Sequence, residues 1–263
     1  MGEKMSTFVT WFLGLGFISG LYFVRRYRRK LKTTEQANRE LISNIAHELK
    51  TPMTSIIGFV DTLQNGAIRD PEKAANFLDI ISIETGRLGN IIDETLELSR
   101  LDNLKQDNNQ AKFSADGAVE EVVIALESIA AQDNISIKTF YTDSEETFVF
   151  ANKVRIKQIL TNIIGNAIKY NIPDGKVEIT VSRIAKNLIV KVYNTGRGIK
   201  NEHFASLFDR FYRVDDGRSR DVGGTGLGLS IVKKIIKLYN GKIEVESIPN
   251  ESATFTISLP ICV

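Results

Sequence analysis

One cysteine, Cys262, stands among 263 residues, so no disulfide forms within the chain. Histidine is nearly as scarce, with only His47 and His203. Together with a single thiol they fall short of the four His and Cys ligands of a structural zinc site. Five prolines, 43% hydrophobic and 25% charged residues are globular proportions, which excludes a collagenous, low-complexity or disordered chain as a whole. An excess of one charge is missing too, since the net charge is +2. That near-balance hides one cluster. Residues 25–32, RRYRRKLK, carry six positive charges and no negative one, which leaves −4 for the remainder. A chain that is not broadly basic lacks the electrostatic footprint of a nucleic-acid binder.

Charge is absent altogether from residues 7–24, TFVTWFLGLGFISGLYFV. Eighteen helical residues at ~1.5 Å rise span about 27 Å, enough to cross a hydrocarbon core of ~30 Å. Trp11 and Tyr22 lie toward its two ends, and the basic cluster follows at once. The positive-inside rule then orients a single-pass helix in the cytoplasmic (inner) membrane, with residues 25–263 in the cytoplasm. A cleaved signal peptide is the competing reading, but bulky and basic residues stand where a small-residue cleavage site belongs. Gly16 and Gly20 have the GxxxG spacing of packed helices, a weak signal in a glycine-rich span. Only about six residues would lie outside the membrane. A stimulus would therefore arrive through the membrane or a partner, unless an N-terminal part is missing.

After the juxtamembrane residues 25–40, the pattern predicts a helical hairpin over 41–104. Leu41, Ile45, Leu49, Met53, Ile56 and Leu63 recur at three- and four-residue steps, and the helix is expected from Thr33 to about Gln64. Asn65-Gly66 breaks it. Asp70 caps and Pro71 opens a second helix, with Phe77, Ile81, Leu88, Ile91, Ile92 and Leu96 as its apolar positions. One hairpin buries only part of such wide seams, so a homodimer with a four-helix bundle is expected. Residues 105–112, KQDNNQAK, read as a linker. Over 113–263 helices fit 115–132, 152–170, 201–208 and 226–240. Strands fit 135–141, 146–150, 176–184, 188–194, 242–247 and 252–259. The implied fold is an α/β two-layer sandwich.

His47 lies about 200° around its helix from Ile45 and from Leu49, so it points away from the seam. An exposed imidazole can act as a nucleophile through a neutral ring nitrogen. Glu48 adjoins it, and Thr51 is one turn on. Further along, Asn162, Asn166, Lys169 and Tyr170 share one helix face. Amide oxygens suit a hard cation such as Mg²⁺, and an ammonium suits phosphate. Asn194-Thr195-Gly196-Arg197-Gly198-Ile199 and Gly223-Gly224-Thr225-Gly226-Leu227-Gly228-Leu229 are glycine clusters, the second just before a helix. Glycines allow a phosphate to approach the backbone, and a helix N-terminus offers free N–H groups. Neither cluster is a Walker A loop. Between them, residues 209–222 hold Arg210, Arg213, Arg218 and Arg220, a polar stretch that reads as a lid.

In this order these segments resemble a bacterial sensor histidine kinase of a two-component system. The resemblance covers about residues 40–263. It rests on SNIAHELKTPMTSIIG (43–58), LTNIIGNAIKY (160–170), NTGRGI (194–199), LFDRFYRVD (207–215) and GGTGLGLSIV (223–232). It implies His47 as phosphoacceptor, Glu48 as its acidic partner, Thr51 as the phosphatase residue and Pro52 as a helix bend. It implies Asn166 as the principal Mg²⁺ ligand and Asn162 as a secondary one, with Lys169 and Tyr170 on phosphate and adenine. Phe208 and Phe211 match lid-anchoring aromatics, beside Arg213. The nucleotide-binding backbone would run through Gly196, Gly198 and Ile199 and through Gly224, Thr225, Gly226, Leu227 and Gly228. The implied catalytic fold is that of gyrase-type and Hsp90-type ATPases, with ATP and Mg²⁺ as ligands and a response regulator as partner. One departure stands out: family members usually carry aspartate where this chain has Asn194. An amide still accepts the adenine amino hydrogen, without the charge assistance.

The activity so implied is ATP-dependent phosphorylation of His47, transfer to an aspartate of the regulator, and its dephosphorylation. A phosphatase-biased switch with weakened ATP use is the alternative that Asn194 raises. A non-enzymatic membrane adaptor is the alternative of another class, and it would leave His47 dispensable.

Overall fold

The computed structural model describes residues 36, 39–142, 146–214 and 224–261. The expected membrane span 7–24, the basic cluster 25–32, Gly223 and the lid arginines Arg218 and Arg220 lie outside the described residues. Among the described residues no helix is long and apolar enough to cross a membrane.

The chain divides into two compact units, Met1–Thr54 and Ser55–Val263. Residues 39–64 are helical (α1). Within the first unit, Leu41, Ile45 and Leu49 are half-buried, whereas Met53 is exposed. The helix continues through Pro52, which is buried, and the Thr54 hydroxyl donates to the Lys50 carbonyl at 2.8 Å.

In the second unit, α1 ends at the left-handed Gly66, and a 3-10 turn, Ala67–Arg69, leads to α2 (Pro71–Asn103). As its sequence requires, Asp70 caps α2 by accepting the Lys73 N–H, and Pro71 occupies the first turn. Phe59 and Phe77 stack across the hairpin with ring centroids 5.2 Å apart. Beyond α2 come β1 (Ala111–Ser114), α3 (Ala115–Gln132), β2 (Ser136–Tyr141), β3 (Phe148–Ala151) and α4 (Lys153–Lys169). Then follow β4 (Lys176–Ile184), β5 (Asn187–Thr195), α5 (Gly228–Leu238), β6 (Lys242–Ile248) and β7 (Ser252–Pro260).

Five strands form one sheet in the order β2-β4-β5-β7-β6, with only β2 and β4 parallel. Strand alternation decides which face is covered. Val177, Ile179 and Val181 on β4, Leu188, Val190 and Val192 on β5, and Phe255, Ile257 and Leu259 on β7 all turn inward. They pack under α3, α4 and α5 in a single apolar cluster, a two-layer sandwich. Each such side chain contributes about 1.5–3 kcal/mol relative to exposure. Strand β1 pairs with β3 as a separate two-stranded ribbon.

Three elements differ from the sequence pattern. Residues 201–208 do not form an α-helix. They make a 3-10 turn, Asn201–His203, and then further i→i+3 turns to Asp209. Their tighter path delivers Leu207 and Phe208 to the core within a short span. Helix α5 starts at Gly228 rather than 226, because Gly226 has a φ of 72°. Within 105–112, residues 111 and 112 belong to β1, and Asp107 is buried.

Candidate functional site

Helix α4 places one polar face over a cavity. Asn152 caps it, accepting the Val154 N–H at 3.0 Å, and Ile156, Ile159, Leu160, Ile163, Ile164 and Ala167 bind it to the sheet. That packing turns Asn162, Asn166 and Lys169 outward together. Asn166, Lys169 and Tyr170 line the cavity. Asn162 stands beside it: its Nδ2 donates to the Gln158 carbonyl at 3.0 Å, and a Cβ on Gly228 would lie 2.5 Å from its Oδ1. The Lys169 ammonium lies 5.0 Å from the Tyr170 ring centre. Burial, aided by the Arg213 charge, lowers its pKa to about 8, against the pull of Glu94.

The far wall is built from β5, β7 and the two glycine clusters. Asn194 is 4% exposed, and its Nδ2 donates to the Thr195 carbonyl at 2.7 Å. The amide oxygen is then the acceptor this side chain offers to the cavity it lines. Gly198 and Ile199 line the cavity, whereas Gly196 supports it from behind, packed so closely on the Tyr170 carbonyl that a Cβ would collide. Gly224, Thr225, Gly226 and Gly228 line the side where α5 begins. Leu227 is buried beneath them, and its N–H donates to the Thr225 hydroxyl at 3.1 Å. The first turn of α5 thus points its free N–H groups and positive dipole end toward this side of the cavity.

Phe208 and Phe211 pack on the core and do not line the cavity, whereas Arg213 does. The Phe211 N–H donates to the Gly226 carbonyl at 3.0 Å, which ties the start of the lid to its end.

His47, Glu48 and Thr51 lie together on α1 in the first unit. His47 is exposed and Glu48 half-buried, and the Thr51 hydroxyl lies 3.5 Å from the His47 carbonyl oxygen.

Several participants escaped sequence reading. Tyr212 lines the cavity and its hydroxyl is 2.7 Å from His203 Nδ1. Ala253 and Phe255 line the floor because β7 pairs with β5, a register invisible before folding. Arg197 sits within a glycine cluster that the sequence had flagged. Glu94 is the least foreseeable. It comes from α2, and its carboxylate accepts a hydrogen bond from the Thr225 hydroxyl. Burial raises its pKa, partly offset by Thr225 and Lys169. Eight residues on, Asp102 bridges Lys234 at 2.5 Å and Arg210 at 2.6 Å. Burial pushes the Asp102 carboxyl up, but these two cations together hold it below its ordinary value. Leu98 and Leu101 join the core beneath α5.

Amide oxygens, an ammonium and a glycine-lined helix start suit a nucleotide phosphate with a hard cation. Among the described residues no group of three His, Cys, Asp or Glu could hold a metal. A Mg²⁺ ion here would draw on Asn166, Asn162 and the phosphates themselves, a donor set that fits it.

A helical hairpin joined to a two-layer sandwich with such a cavity suits a nucleotide-binding protein. Residues 151–262 match the family described as histidine kinase-, DNA gyrase B- and HSP90-like ATPase, and residues 37–104 match the His Kinase A (phospho-acceptor) domain. The sensor protein kinase WalK of Staphylococcus aureus is 32% identical over 93% of this chain. The chain spans 59% of that relative's length. The catalytic domain of histidine kinase ThkA is 33% identical over 58% of this chain and 95% of that one, with a TM-score of 0.51. A second ThkA structure, in complex with the response regulator protein TrrA, is 29% identical, covers 85% of this chain and 61% of that one, and has a TM-score of 0.69. The chain belongs to the sensor histidine kinase family of two-component systems.

Proposed function

We propose that this protein is a membrane-anchored, dimeric sensor kinase that phosphorylates His47 from ATP and passes the phosphoryl group to an aspartate of a response regulator. The observation that carries this reading is the cavity in which Asn166 and Lys169 of α4, buried Asn194 and the start of α5 converge. Membrane anchoring rests on the uncharged run 7–24 and the basic cluster after it. The regulator as partner rests on the ThkA–TrrA complex, a relative captured with such a protein.

The roles divide by chemistry. The Asn194 amide accepts from the adenine amino group. Lys169 and the α5 N-terminus hold phosphates, and Arg213 adds charge from the lid. Asn166, with Asn162 as a secondary ligand, would hold Mg²⁺, which would neutralise phosphate charge. His47 is the nucleophile, and Glu48 accepts a proton from its ring. Catalysis then consists mainly of positioning and charge compensation. Glu48 and Thr51 also serve dephosphorylation of the regulator. Asn194 supports a second reading, a phosphatase-biased switch, because the uncharged acceptor weakens adenine binding by about 5- to 30-fold.

The test is autophosphorylation of residues 30–263 with labelled ATP and Mg²⁺, beside His47→Gln. Acid-labile, alkali-stable label absent from the variant is the expected result. No label from a folded wild-type protein at millimolar ATP would shift the reading to the phosphatase-biased switch.

A further inference from the structure

A carboxylate stands among the groups that the cavity offers to an anion. Glu94 is the sole acidic side chain among the described residues lining it, and it belongs to α2 rather than to the sandwich. It engages the Thr225 hydroxyl, the same hydroxyl that receives the Leu227 N–H where α5 starts. The Lys169 ammonium lies within electrostatic reach of it, and Arg213 and Arg87 add positive charge around that ammonium. Hydroxyl, ammonium and helix start are the donors a phosphoryl oxygen seeks.

We propose that Glu94 is an internal competitor for the nucleotide's phosphates: its carboxylate holds the Thr225 hydroxyl, within electrostatic reach of Lys169, until a phosphate displaces it and frees this face of α2. The inference rests on the nucleotide reading of the cavity and adds coupling between ligand binding and the packing of α2.

The seating of α2 explains why displacement would be felt beyond one side chain. Ile91, Glu94, Leu98, Leu101 and Asp102 recur at three- and four-residue steps, so they share one face. Glu94 ends that face at the cavity. Leu98 and Leu101 anchor it in the core, and Asp102 closes it on Arg210 and Lys234. Arg210 stands two residues before Tyr212, which lines the cavity, so both ends of the contact meet the cavity's surroundings. The Glu94 carboxylate is also a poor permanent tenant. Its burial opposes its charge, whereas a polyphosphate brings more charge and its own cation.

Titration calorimetry with ATP and with adenosine, on wild type and Glu94→Gln, tests the proposal. Glu94→Gln is expected to bind ATP about 5- to 10-fold more tightly, the loss of one charge-assisted contact. Adenosine, which has no phosphate, is expected to bind both proteins equally. Equal or weaker ATP binding by the variant overturns the proposal, as does an equal gain for adenosine. Failure of both proteins to bind ATP overturns the nucleotide reading itself, a distinct result. Independently of any variant, amide hydrogen exchange over residues 91–102 of wild type is expected to quicken on adding ATP. Unchanged exchange there, with ATP bound, overturns the displacement.

Discussion

The amide at position 194 answers two demands at once. Its Nδ2 holds the Thr195 carbonyl at 2.7 Å inside the protein, and its oxygen serves the cavity. An Asn194→Asp substitution would strengthen the acceptor but set a carboxylate oxygen against that carbonyl. ATP binding is expected to tighten about 5-fold, while the nucleotide-free protein loses about 1–2 kcal/mol of stability. Calorimetry and denaturant unfolding read the two effects separately, and a gain in both would refute the account. Lys169 carries a pH dependence. Its pKa, lowered to about 8 by burial and by Arg213, must rise when a phosphate arrives. Binding then takes up a proton between about pH 8 and the ordinary lysine range, so ATP affinity is expected to fall as pH climbs past 8. The charged groups that face it are Glu94, Arg213 and Arg87. Lys169→Met should flatten the profile, and proton uptake can be read by calorimetry in buffers of different ionisation enthalpy. At this scale much of the site was legible. Asn166 and Lys169 announce themselves by helical spacing, because covalent geometry puts them on one face. Glu94 did not, since its role arises only when α2 packs on α5.

Elements show where local pattern loses to packing. The α5 pattern suggested a start at 226, yet Gly226 takes a φ of 72° and lets the Phe211 backbone approach, with a Cβ clearance of only 2.7 Å. Gly226→Ala is expected to cost about 1–3 kcal/mol and to weaken ATP binding, because both lid ends must move. Thermal unfolding with and without ATP checks this, and a variant matching wild type in both would show that the junction tolerates a side chain. The stretch after α2 is the second case. Composition marks it as a solvated linker. Folding instead buries Asp107, which accepts from Arg155 Nε at 3.0 Å, Tyr239 at 2.8 Å and the Asn109 N–H at 3.0 Å. Burial pushes its carboxyl up, but these donors outweigh that and hold it low. Asp107→Ala would deprive the Arg155 Nε–H, the Tyr239 hydroxyl and the Asn109 N–H of their acceptor, leaving Arg155 with Glu97 alone. It is expected to cost about 2–4 kcal/mol in urea unfolding, more than a linker residue would. No periodicity could reveal this knot, because its members come from positions 107, 155 and 239. The strand spans of the sandwich and helices α3 and α4, by contrast, followed closely from alternation and caps.

At the scale of the whole molecule, the hairpin exposes apolar surface that the sandwich does not cover. In the second unit Ile57 is 60% exposed on α1, and Leu78 is 57% exposed on α2. Val60 follows Ile57 by three residues, and Ile92 follows Leu78 by fourteen, so each pair lies along one helical stripe. Large apolar side chains in stripes, rather than scattered, mark a surface that is covered in use. The proposed homodimer would cover them with a second copy, each stripe meeting its equivalent around a two-fold axis. Symmetry doubles the effect of any substitution there. Replacing Ile57 by Glu removes about 1.5 kcal/mol or more per chain, hence about 3 kcal/mol per dimer, or roughly 100-fold in the dissociation constant. Leu78→Glu should act alike. Sedimentation equilibrium of residues 30–263 is expected to show a wild-type dimer and a monomer for the double variant, with the ATP-binding constant of each chain retained because neither residue touches the cavity. A dimer of unchanged strength in Ile57→Glu/Leu78→Glu would mean that the stripes meet something other than a second copy.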